Sequence, residues 1–424
     1  MNTIIKHLQS HKGVCDYKIN IDRRESYELF FVKGSLDTVR NTDNTDKEVT
    51  VYVDHGGFRG HASFFVYPST TEESLDLLIE EAVQKAKLIE NPAYTLPGAE
   101  SGEFAVATNF TDYDAADLAA AIANTVFDAN TLDITSLNAV EVFINRITQT
   151  VANSRGLHKQ QVRWTAMVEA IPTATADGQS VELYEQYNFN VLDLDTLRAE
   201  IADKLFQAKA RFDAKRMEVT GSPRVILGAQ ELMELFWNFA GDLNYSTIYS
   251  HHNVYKKGDA IQTAPAGDAL SVTMCAAHPG CAASRCFDAD GMSLTEMQLI
   301  ADGKAVGYYG SNRFGQYLGE APTGSLPILT LAPGTAEEAD FVSGHYLEVL
   351  SMSGIQTDFY SDYIGGEIRL ANWHDGERII PVTGVSISGK LSEVLNHIRF
   401  SQKCTLSGSY YGPEKAVIEG MNIF

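Results

Sequence analysis

Hydrophobic and polar residues follow two different periods along the first half of the chain. Alternating segments predict strands at 16–21, 27–32, 49–54, 59–67, 140–151, 161–171 and near 181–191. Apolar residues spaced i, i+3, i+4 and i+7 predict amphipathic helices at 75–89, 115–130 and 195–212, after a short opening helix at 3–12. We expect Ser69 and Glu72 to form a capping box, and Asp195 to be the N-cap of the third long helix. This half is therefore predicted to pack helices on a sheet.

The second half shows fewer helical patterns. After Arg224 the periodicity predicts helices at 230–242 and 390–398, and the remainder is rich in Gly, Thr and β-branched residues. The sequence therefore predicts an α+β fold with an N-terminal α/β-sandwich-like domain at 1–221, in two subsegments of about 1–100 and 101–221. A mostly antiparallel, barrel-like β domain is predicted at 222–424, after the break at Gly221, Ser222 and Pro223.

The charge balance disfavours one class of partner. Asp and Glu number 55 against 33 Lys and Arg, which gives a net charge of -22. A phosphate backbone would be repelled by such a surface, so we expect no direct binding to nucleic acid, and the acidic surface is interpreted as solubilising.

The sequence also predicts a compartment. Five cysteines are an odd and sparse set for 424 residues, so a disulfide framework is not expected. No apolar run approaches the roughly 18 residues that cross a bilayer, and the N-terminus lacks the pattern of a signal peptide. We therefore expect a cytoplasmic protein that does not contact a membrane.

Residues 225–244 combine a buried strand with the best-patterned helix of the second half. The helix carries apolar residues at i, i+3, i+4, i+7 and i+11, namely Leu232, Leu235, Phe236, Phe239 and Leu243. Such a stripe is typical of a helix packed on a core.

Several segments resemble, in order and spacing, the TldD/PmbA family, whose members are called modulators of DNA gyrase and are understood as a peptidase system. They are V-T-V-Y-V-D-H-G-G-F-R-G-H-A-S (49–63), A-N-S-R-G (152–156), F-D-A-D-G (287–291), L-I-A-D-G-K-A-V-G-Y (299–308), L-A-P-G-T (331–335), S-G-I-Q-T-D-F-Y-S (353–361), P-V-T-G-V-S-I-S-G-K-L (381–391) and I-E-G-M (418–421). The resemblance extends over nearly the whole chain.

The catalytic branch of that family carries H-E-x-x-x-H, in which two His hold zinc and the Glu acts as general base. Alignment without gaps puts Trp237, Asn238 and Asp242 at these positions, and no His in the chain is followed by Glu. The sequence thus resembles the PmbA/TldE branch, which lacks the motif. The resemblance implies no catalytic residue and no zinc in this chain, and it leaves open whether the protein is an enzyme.

A weaker metal candidate lies in M-C-A-A-H-P-G-C-A-A-S-R-C-F. Cys275, His278, Cys281 and Cys286 are soft ligands that could close a structural zinc site. The spacing matches no common zinc module, so a surface loop with free thiols is the alternative interpretation.

The segment at 356–370 is the candidate peptide contact. The resemblance implies that this segment lies near a peptide-binding cleft, as the equivalent segment does in the family. An extended peptide along a strand edge could be contacted by Asp358, Phe359, Tyr360 and Ser361. The alternative places Phe359 in the core and Asp358 as a cap of a turn.

Three functional hypotheses follow. The first is a non-catalytic PmbA/TldE-like subunit that binds peptides, either as a homodimer or with a TldD-like relative that carries the zinc. The second is an independent metallopeptidase that uses the Cys275–Cys286 set or Asp242 with Cys404. The third is a regulator linked to DNA gyrase without direct DNA binding.

Overall fold

A computed structural model describes residues 1–216, 221–342 and 344–424, and the strands within these ranges form three sheets. Helices and antiparallel strands are mixed along the chain, which confirms the α+β class. None of the helices in the described ranges is long and apolar enough to cross a membrane.

Sheet A comes from the first half of the chain and curls into a half-barrel. Its strands are β1 (Asp16–Val32), β2 (Ser35–His55), β3 (Phe58–Phe65), β4 (Ser101–Ala105), β5 (Thr135–Asn153), β6 (His158–Ala176), β7 (Gln179–Glu182) and β8 (Glu185–Phe189). The order across the sheet is β3-β2-β1-β5-β6-β4, with β7 and β8 also paired to β6. Only the β4–β6 pairing is parallel among the described strands of this sheet.

Four helices cover one face of sheet A: α1 (Asn2–Ser10), α2 (Glu72–Ala86), α3 (Ala115–Asp128) and α4 (Leu194–Asp213). Helices α1 and α2 pack on buried residues such as Ile19, Val49 and Val51. Helices α3 and α4 pack on Val142 and Val168 further along the sheet. Because side chains alternate along a strand, the opposite face carries the intervening polar residues, and we call it the polar face of sheet A.

Three local predictions in this half are corrected by the structure. The two strands predicted at 16–21 and 27–32 are one strand, since the polar residues between them pair with β2 and β5 on both sides. Helix α2 is capped by Thr71, whose hydroxyl accepts the Ser74 N–H, and not by a box of Ser69 and Glu72. Helix α4 is capped by Asp193, because its carboxylate reaches the Thr196 N–H whereas Asp195 lies inside the first turn.

The second half forms sheets B and C. Sheet B contains β9 (Lys215–Arg216), β10 (Arg224–Gly228), β15 (Tyr346–Met352), β16 (Gln356–Asp358), β17 (Tyr363–His374), β18 (Ile379–Thr383), β19 (Val385–Lys390), β20 (Arg399–Phe400), β23 (Lys415–Ile418) and β24 (Asn422–Ile423). Sheet C contains β11 (Val272–Cys275), β12 (Met297–Ala301), β13 (Lys304–Ala305), β14 (Ile328–Leu331), β21 (Cys404–Ser407) and β22 (Tyr410–Pro413). Most pairs are antiparallel, with parallel exceptions at β10–β15, β9–β18 and β14–β22.

The helices of this half are α5 (Ala229–Asp242), α6 (Tyr245–Tyr249), α7 (Asn312–Leu318), α8 (Glu338–Phe341) and α9 (Leu391–His397). Helices α5 and α9 confirm the predictions at 230–242 and 390–398. The curled sheet is the N-terminal one, whereas the second half was predicted to be barrel-like and is arranged as two separate sheets.

The two halves meet across the polar face of sheet A. Gln161 of β6 donates to the carbonyl of Phe287 at 3.1 Å and accepts from the Cys286 N–H at 2.8 Å. Lys18 of β1 forms an ion pair with Asp290. The F-D-A-D-G segment thus lies against sheet A, while the domain boundary after Gly221 stays a prediction.

Candidate functional site

Helix α5 follows strand β10 directly and lies in the core of the second half. Gly228 is its N-cap, and β10 is paired on both sides, with β15 and with β23. The predicted stripe is confirmed, because each of its members is fully buried: Leu232, Leu235, Phe236, Phe239 and Leu243. The position of α5 is therefore fixed by apolar packing on one side, which leaves its other side for polar contacts.

The three positions aligned with the zinc motif have different environments. Trp237 is half-buried and packs against the core cluster. Asn238 is exposed, and its amide donates to the Glu234 carbonyl of the same helix at 2.9 Å. Asp242 is only 6% exposed. An indole offers no ligand and Asn238 has turned back on its own helix, so neither residue fits a zinc site.

The Asp242 carboxylate anchors the chain that follows α6. One oxygen accepts the Val254 N–H at 2.7 Å, and the other accepts the Tyr255 N–H at 2.9 Å. Burial raises the pKa of Asp242, and these two hydrogen bonds act in the opposite direction. Both oxygens are thus engaged with backbone, as expected for a structural carboxylate.

Glu234 performs the same task one helical turn before Asn238. Its Oε2 accepts the Ile355 N–H at 3.0 Å. Glu234, Asn238 and Asp242 are spaced by four residues and therefore lie along one side of the helix, which we call the polar face of α5. Side chains of this face accept hydrogen bonds from two backbone segments, at 254–255 and at 355, and so hold them against the helix.

The predicted peptide segment follows β16 and lies beside this helix. Asp358 accepts the Ser361 hydroxyl at 2.6 Å and the Tyr360 N–H at 2.9 Å, and these hydrogen bonds lower the pKa of Asp358. The Phe359 ring packs on Phe239 of α5, with centroids 4.7 Å apart. Asp358 caps the turn and Phe359 joins the core, as in the alternative interpretation.

Tyr360 is the exposed aromatic residue of the segment. Its side chain is 76% exposed, and its hydroxyl donates to the His252 carbonyl at 3.0 Å. The ring of Tyr255 lies 5.5 Å from that of Phe359. The structure therefore brings α5, the 252–255 segment and the 358–361 turn into one cluster, with the Tyr360 ring on its surface.

The Cys and His candidates point to different neighbours. The Cys275 thiol lies 3.5 Å from the Glu296 carboxylate, and the His278 ring stacks on Tyr411 at 4.0 Å. Cys281 is fully buried and donates to a backbone carbonyl. In the parts of the chain that the structure describes, no three His, Cys, Asp or Glu side chains are grouped so that they could hold a metal ion.

The cysteine thiols of the second half are partly or fully buried. Burial raises the pKa of Cys275 to about 11 and raises the pKa of Cys281, Cys286 and Cys404. Cys275, His278 and Cys281 contact separate neighbours, so in this arrangement the four candidates at 275–286 do not fit a tetrahedral site. In the alternative pair of Asp242 and Cys404, the Asp242 carboxylate is already engaged with backbone.

Two residues of this cluster were not singled out from the sequence. Glu234 lies four residues before Asn238, so helical spacing alone could have indicated that it shares a face with Asp242. Tyr255 had no such signal, because the 252–255 segment reaches the helix only in three dimensions.

The comparisons with known proteins agree with this fold. The family model described as PmbA/TldA metallopeptidase C-terminal domain matches residues 220–424. TldE from Thermococcus kodakarensis is 14% identical, with a TM-score of 0.80 over 100% of this chain and 99% of that chain. A candidate modulator of a DNA gyrase from Thermotoga maritima MSB8 is 16% identical, with a TM-score of 0.77 over 100% and 99% of the two chains.

A further candidate modulator of DNA gyrase, from Bacteroides thetaiotaomicron VPI-5482, is 13% identical, with a TM-score of 0.78 over 100% of this chain and 96% of that chain. No curated protein matches the sequence. The structural likeness concerns the fold, and the family model covers the half that contains α5 and the 358–361 turn. Residues 220–424 of the chain therefore belong to the PmbA/TldD family.

Proposed function

We propose that this chain is a peptide-binding subunit of the PmbA/TldE type without a zinc site of its own. The observation that carries the proposal is the polar face of α5, where Asp242 accepts two backbone N–H groups and Asn238 bonds to its own helix. A zinc peptidase needs free ligands and an open coordination position for water. Side chains that are committed to backbone supply neither.

The edge of β16 supports the peptide-binding role. Among the described strands, β16 pairs only with β17, so its other edge is open. An extended peptide can add to such an edge through main-chain hydrogen bonds, while nearby side chains select its sequence. Tyr360 follows this strand with its ring in solvent and offers apolar area next to that edge.

Two assemblies are consistent with this role. A TldD-like partner would contribute the zinc that polarises the scissile carbonyl and activates water, while this chain would orient the peptide. In a homodimer the chain would bind peptides without cleaving them. Co-purification from the native host, followed by a search for a companion with H-E-x-x-x-H, distinguishes the two.

The catalytic part of the proposal is tested on the isolated chain. We expect less than stoichiometric zinc and no hydrolysis of unstructured peptides, with hydrolysis appearing only when a zinc-bearing companion is added. Stoichiometric metal together with peptidase activity in the isolated chain would overturn the proposal in favour of an independent metallopeptidase.

The binding part is tested with a fluorescein-labelled unstructured peptide and polarisation measurements. We expect Tyr360→Ala to weaken binding by about tenfold, the loss typical of an exposed aromatic contact. Tyr113→Ala is the matched control, since Tyr113 is 47% exposed in the first half of the chain. Equal affinities for both variants and the parent chain would contradict a peptide site at the 358–361 turn.

The names of two structural neighbours favour a second candidate function, regulation of DNA gyrase. A net charge of -22 supports contact with the enzyme rather than with its DNA. Retention of this chain on immobilised gyrase, with no retention of DNA on filters at low salt, is the outcome expected for such a regulator.

A further inference from the structure

A polar cavity of about 250 Å³ lies between the polar face of sheet A and the second half of the chain. Strands β1, β2 and β3 form its floor, through residues at neighbouring positions of the three strands. The F-D-A-D-G segment and the start of α7 form its other wall. Its lining includes the charged or basic side chains of Lys18, Glu48, His61, Asp290 and Arg313, together with the hydroxyls of Ser311, Tyr52 and Tyr94.

Two of the charges in the cavity neutralise each other. The Lys18 ammonium lies 2.5 Å from the Asp290 carboxylate, and both side chains are mostly buried. The hydroxyls of Thr50 and Ser63 are likewise paired, at 2.8 Å. These groups are satisfied within the protein and define the shape of the cavity.

Three other groups have unused hydrogen-bonding capacity. The side chain of Glu48 has no hydrogen bond or ion pair with any residue that the structure describes, whereas its backbone pairs with β1 and β3. The Nδ1 atom of His61 is buried without a hydrogen-bond partner. Arg313 donates from Nε to Tyr317 and from Nη2 to Asn91, which leaves its Nη1 without a partner among the described residues.

The Arg313 guanidinium is held in place by its surroundings. Its Cζ lies 5.7 Å from the Tyr94 ring centroid and 5.5 Å from that of Tyr317. Tyr52 and Tyr94 continue this aromatic wall, with an edge-to-face contact at 6.2 Å. Arg313 is therefore oriented before any ligand arrives, so little conformational entropy is lost on binding.

The environment of His61 favours its neutral form. Burial lowers its pKa, and the positive charges of Arg313 and Lys18 lower it further, against the opposite effect of Asp290. The unpartnered Nδ1 can carry the proton and donate it to a ligand oxygen, or accept from a ligand N–H.

We infer that this cavity binds a small zwitterion, namely a free α-amino acid. Glu48 would accept the ammonium, and Arg313 with His61 would donate to the carboxylate, since a zwitterion offers an opposite charge to each of the two half-buried charged groups. A cavity of about 150 Å³ holds benzene. The present volume is therefore sufficient for an amino acid with a short side chain, and its mostly polar lining disfavours a large apolar one. The inference uses none of the residues of the proposed peptide site.

The test is ligand-observed NMR titration of the full-length chain with L-alanine, propionate and ethylammonium. Each has one methyl signal, and the latter two each lack one charge of the zwitterion. We expect saturable broadening of the L-alanine methyl in the millimolar range or below, and at least tenfold weaker effects for the other two, since each loses one charged hydrogen bond.

Glu48→Gln and Asp46→Asn are the paired variants. Both residues lie on β2 and face the same side of sheet A, but Asp46 is outside the cavity. We expect Glu48→Gln to weaken L-alanine binding by about tenfold or more and Asp46→Asn to leave it unchanged. Because the side chain of Glu48 makes no contact that folding depends on, both variants should unfold at the temperature of the parent chain.

Three outcomes would overturn the inference. The first is the absence of saturable binding of L-alanine, glycine or L-serine up to about 10 mM, which corresponds to a binding free energy weaker than about 3 kcal/mol. The second is that propionate binds as tightly as L-alanine. The third is that the Glu48→Gln variant and the parent bind L-alanine with equal affinity. None of these results bears on the zinc content of the chain or on peptide binding at Tyr360.

Discussion

Carboxylates on the polar face of α5 are filled by the backbone of neighbouring segments, whereas the Glu48 carboxylate on the polar face of sheet A is not. On α5, Asp242 and Glu234 accept N–H groups from the 254–255 and 355 segments. On sheet A, the side chain of Glu48 lines a cavity and has no partner among the described residues. An acceptor that is filled by backbone stabilises the fold, whereas an unfilled one beside a cavity is available to a ligand.

The largest expected effect is the loss of stability when the Asp242 carboxylate on α5 is removed. Asp242→Ala removes the acceptor of the Val254 and Tyr255 N–H groups and leaves two partly buried donors unpaired. We expect a loss of about 3 kcal/mol in the free energy of unfolding, measured by urea denaturation. Asn238→Ala on the same face is the control and should cost less than about 0.5 kcal/mol, because its amide bonds only to its own helix. Similar losses for both variants would mean that Asp242 anchors nothing.

The second effect separates two adjacent residues of the 358–361 turn. Phe359→Ala removes ring contacts with Phe239 and Tyr255, and we expect a loss of about 2 kcal/mol of stability for this half-buried side chain. Tyr360→Ala should cost under about 1 kcal/mol, since the ring is in solvent and only one hydrogen bond is lost. Thermal and urea unfolding of the two variants measure the difference. A larger loss of stability in Tyr360→Ala than in Phe359→Ala would show that Tyr360 makes the stabilising contact. Its ring would then not be free to contact a peptide.

Helix α5 was predictable from the sequence because its apolar period is local. The prediction of 230–242 and the observed Ala229–Asp242 differ by one residue, and every member of the apolar stripe is buried. The polar run at 22–26 has no apolar face, so the local pattern predicts two separate strands at 16–21 and 27–32. In the sheet it pairs on both sides, and cross-strand contacts such as Arg146 with Glu25 at 2.6 Å replace apolar packing.

The cavity could not be predicted from local patterns. Lys18, Glu48, Asp290 and Arg313 come from segments up to 295 residues apart, the difference between positions 313 and 18, and none of them stands in a recognisable motif for ligand binding. The turn at 358–361 is an intermediate case. Its residue types were compatible with both a peptide contact and a capped turn, and only the position of the Phe239 ring decides that Phe359 packs inward.

A third, smaller effect concerns the dependence of stability on pH. Glu231 in the first turn of α5 is 6% exposed, and burial raises its pKa above the ordinary 4.5. A raised pKa in the folded state means that the contribution of this group to stability is complete below the unfolded pKa and is lost as the pH rises through the folded value. Glu231→Gln should therefore gain stability relative to the parent chain as the pH rises from 4.5 towards neutrality.

Urea denaturation at a series of pH values measures this difference, with Asp46→Asn as an exposed control. A constant difference between Glu231→Gln and the parent across the series would show that this carboxyl titrates alike in the folded and unfolded states. Glu231 would then titrate as an exposed carboxyl does, and its burial would have no effect on the dependence of stability on pH.

The smallest expected effect is that of zinc on the thermal unfolding of the isolated chain. A ligand that binds only the folded state adds about 2.7 kcal/mol to the free energy of unfolding when its concentration is one hundred times its dissociation constant, and this raises the unfolding temperature. Because Cys275 and His278 contact separate neighbours, Glu296 and Tyr411, we expect added zinc and added chelator to give the same melting temperature within about 1 °C. Cys281→Ser in the same experiment tests whether any shift arises from the 275–286 loop. A rise of several degrees with zinc that this variant abolishes would show that the loop rearranges to gather its ligands. The thiols of the loop would then be available to a ligand in the same way as the Glu48 carboxylate.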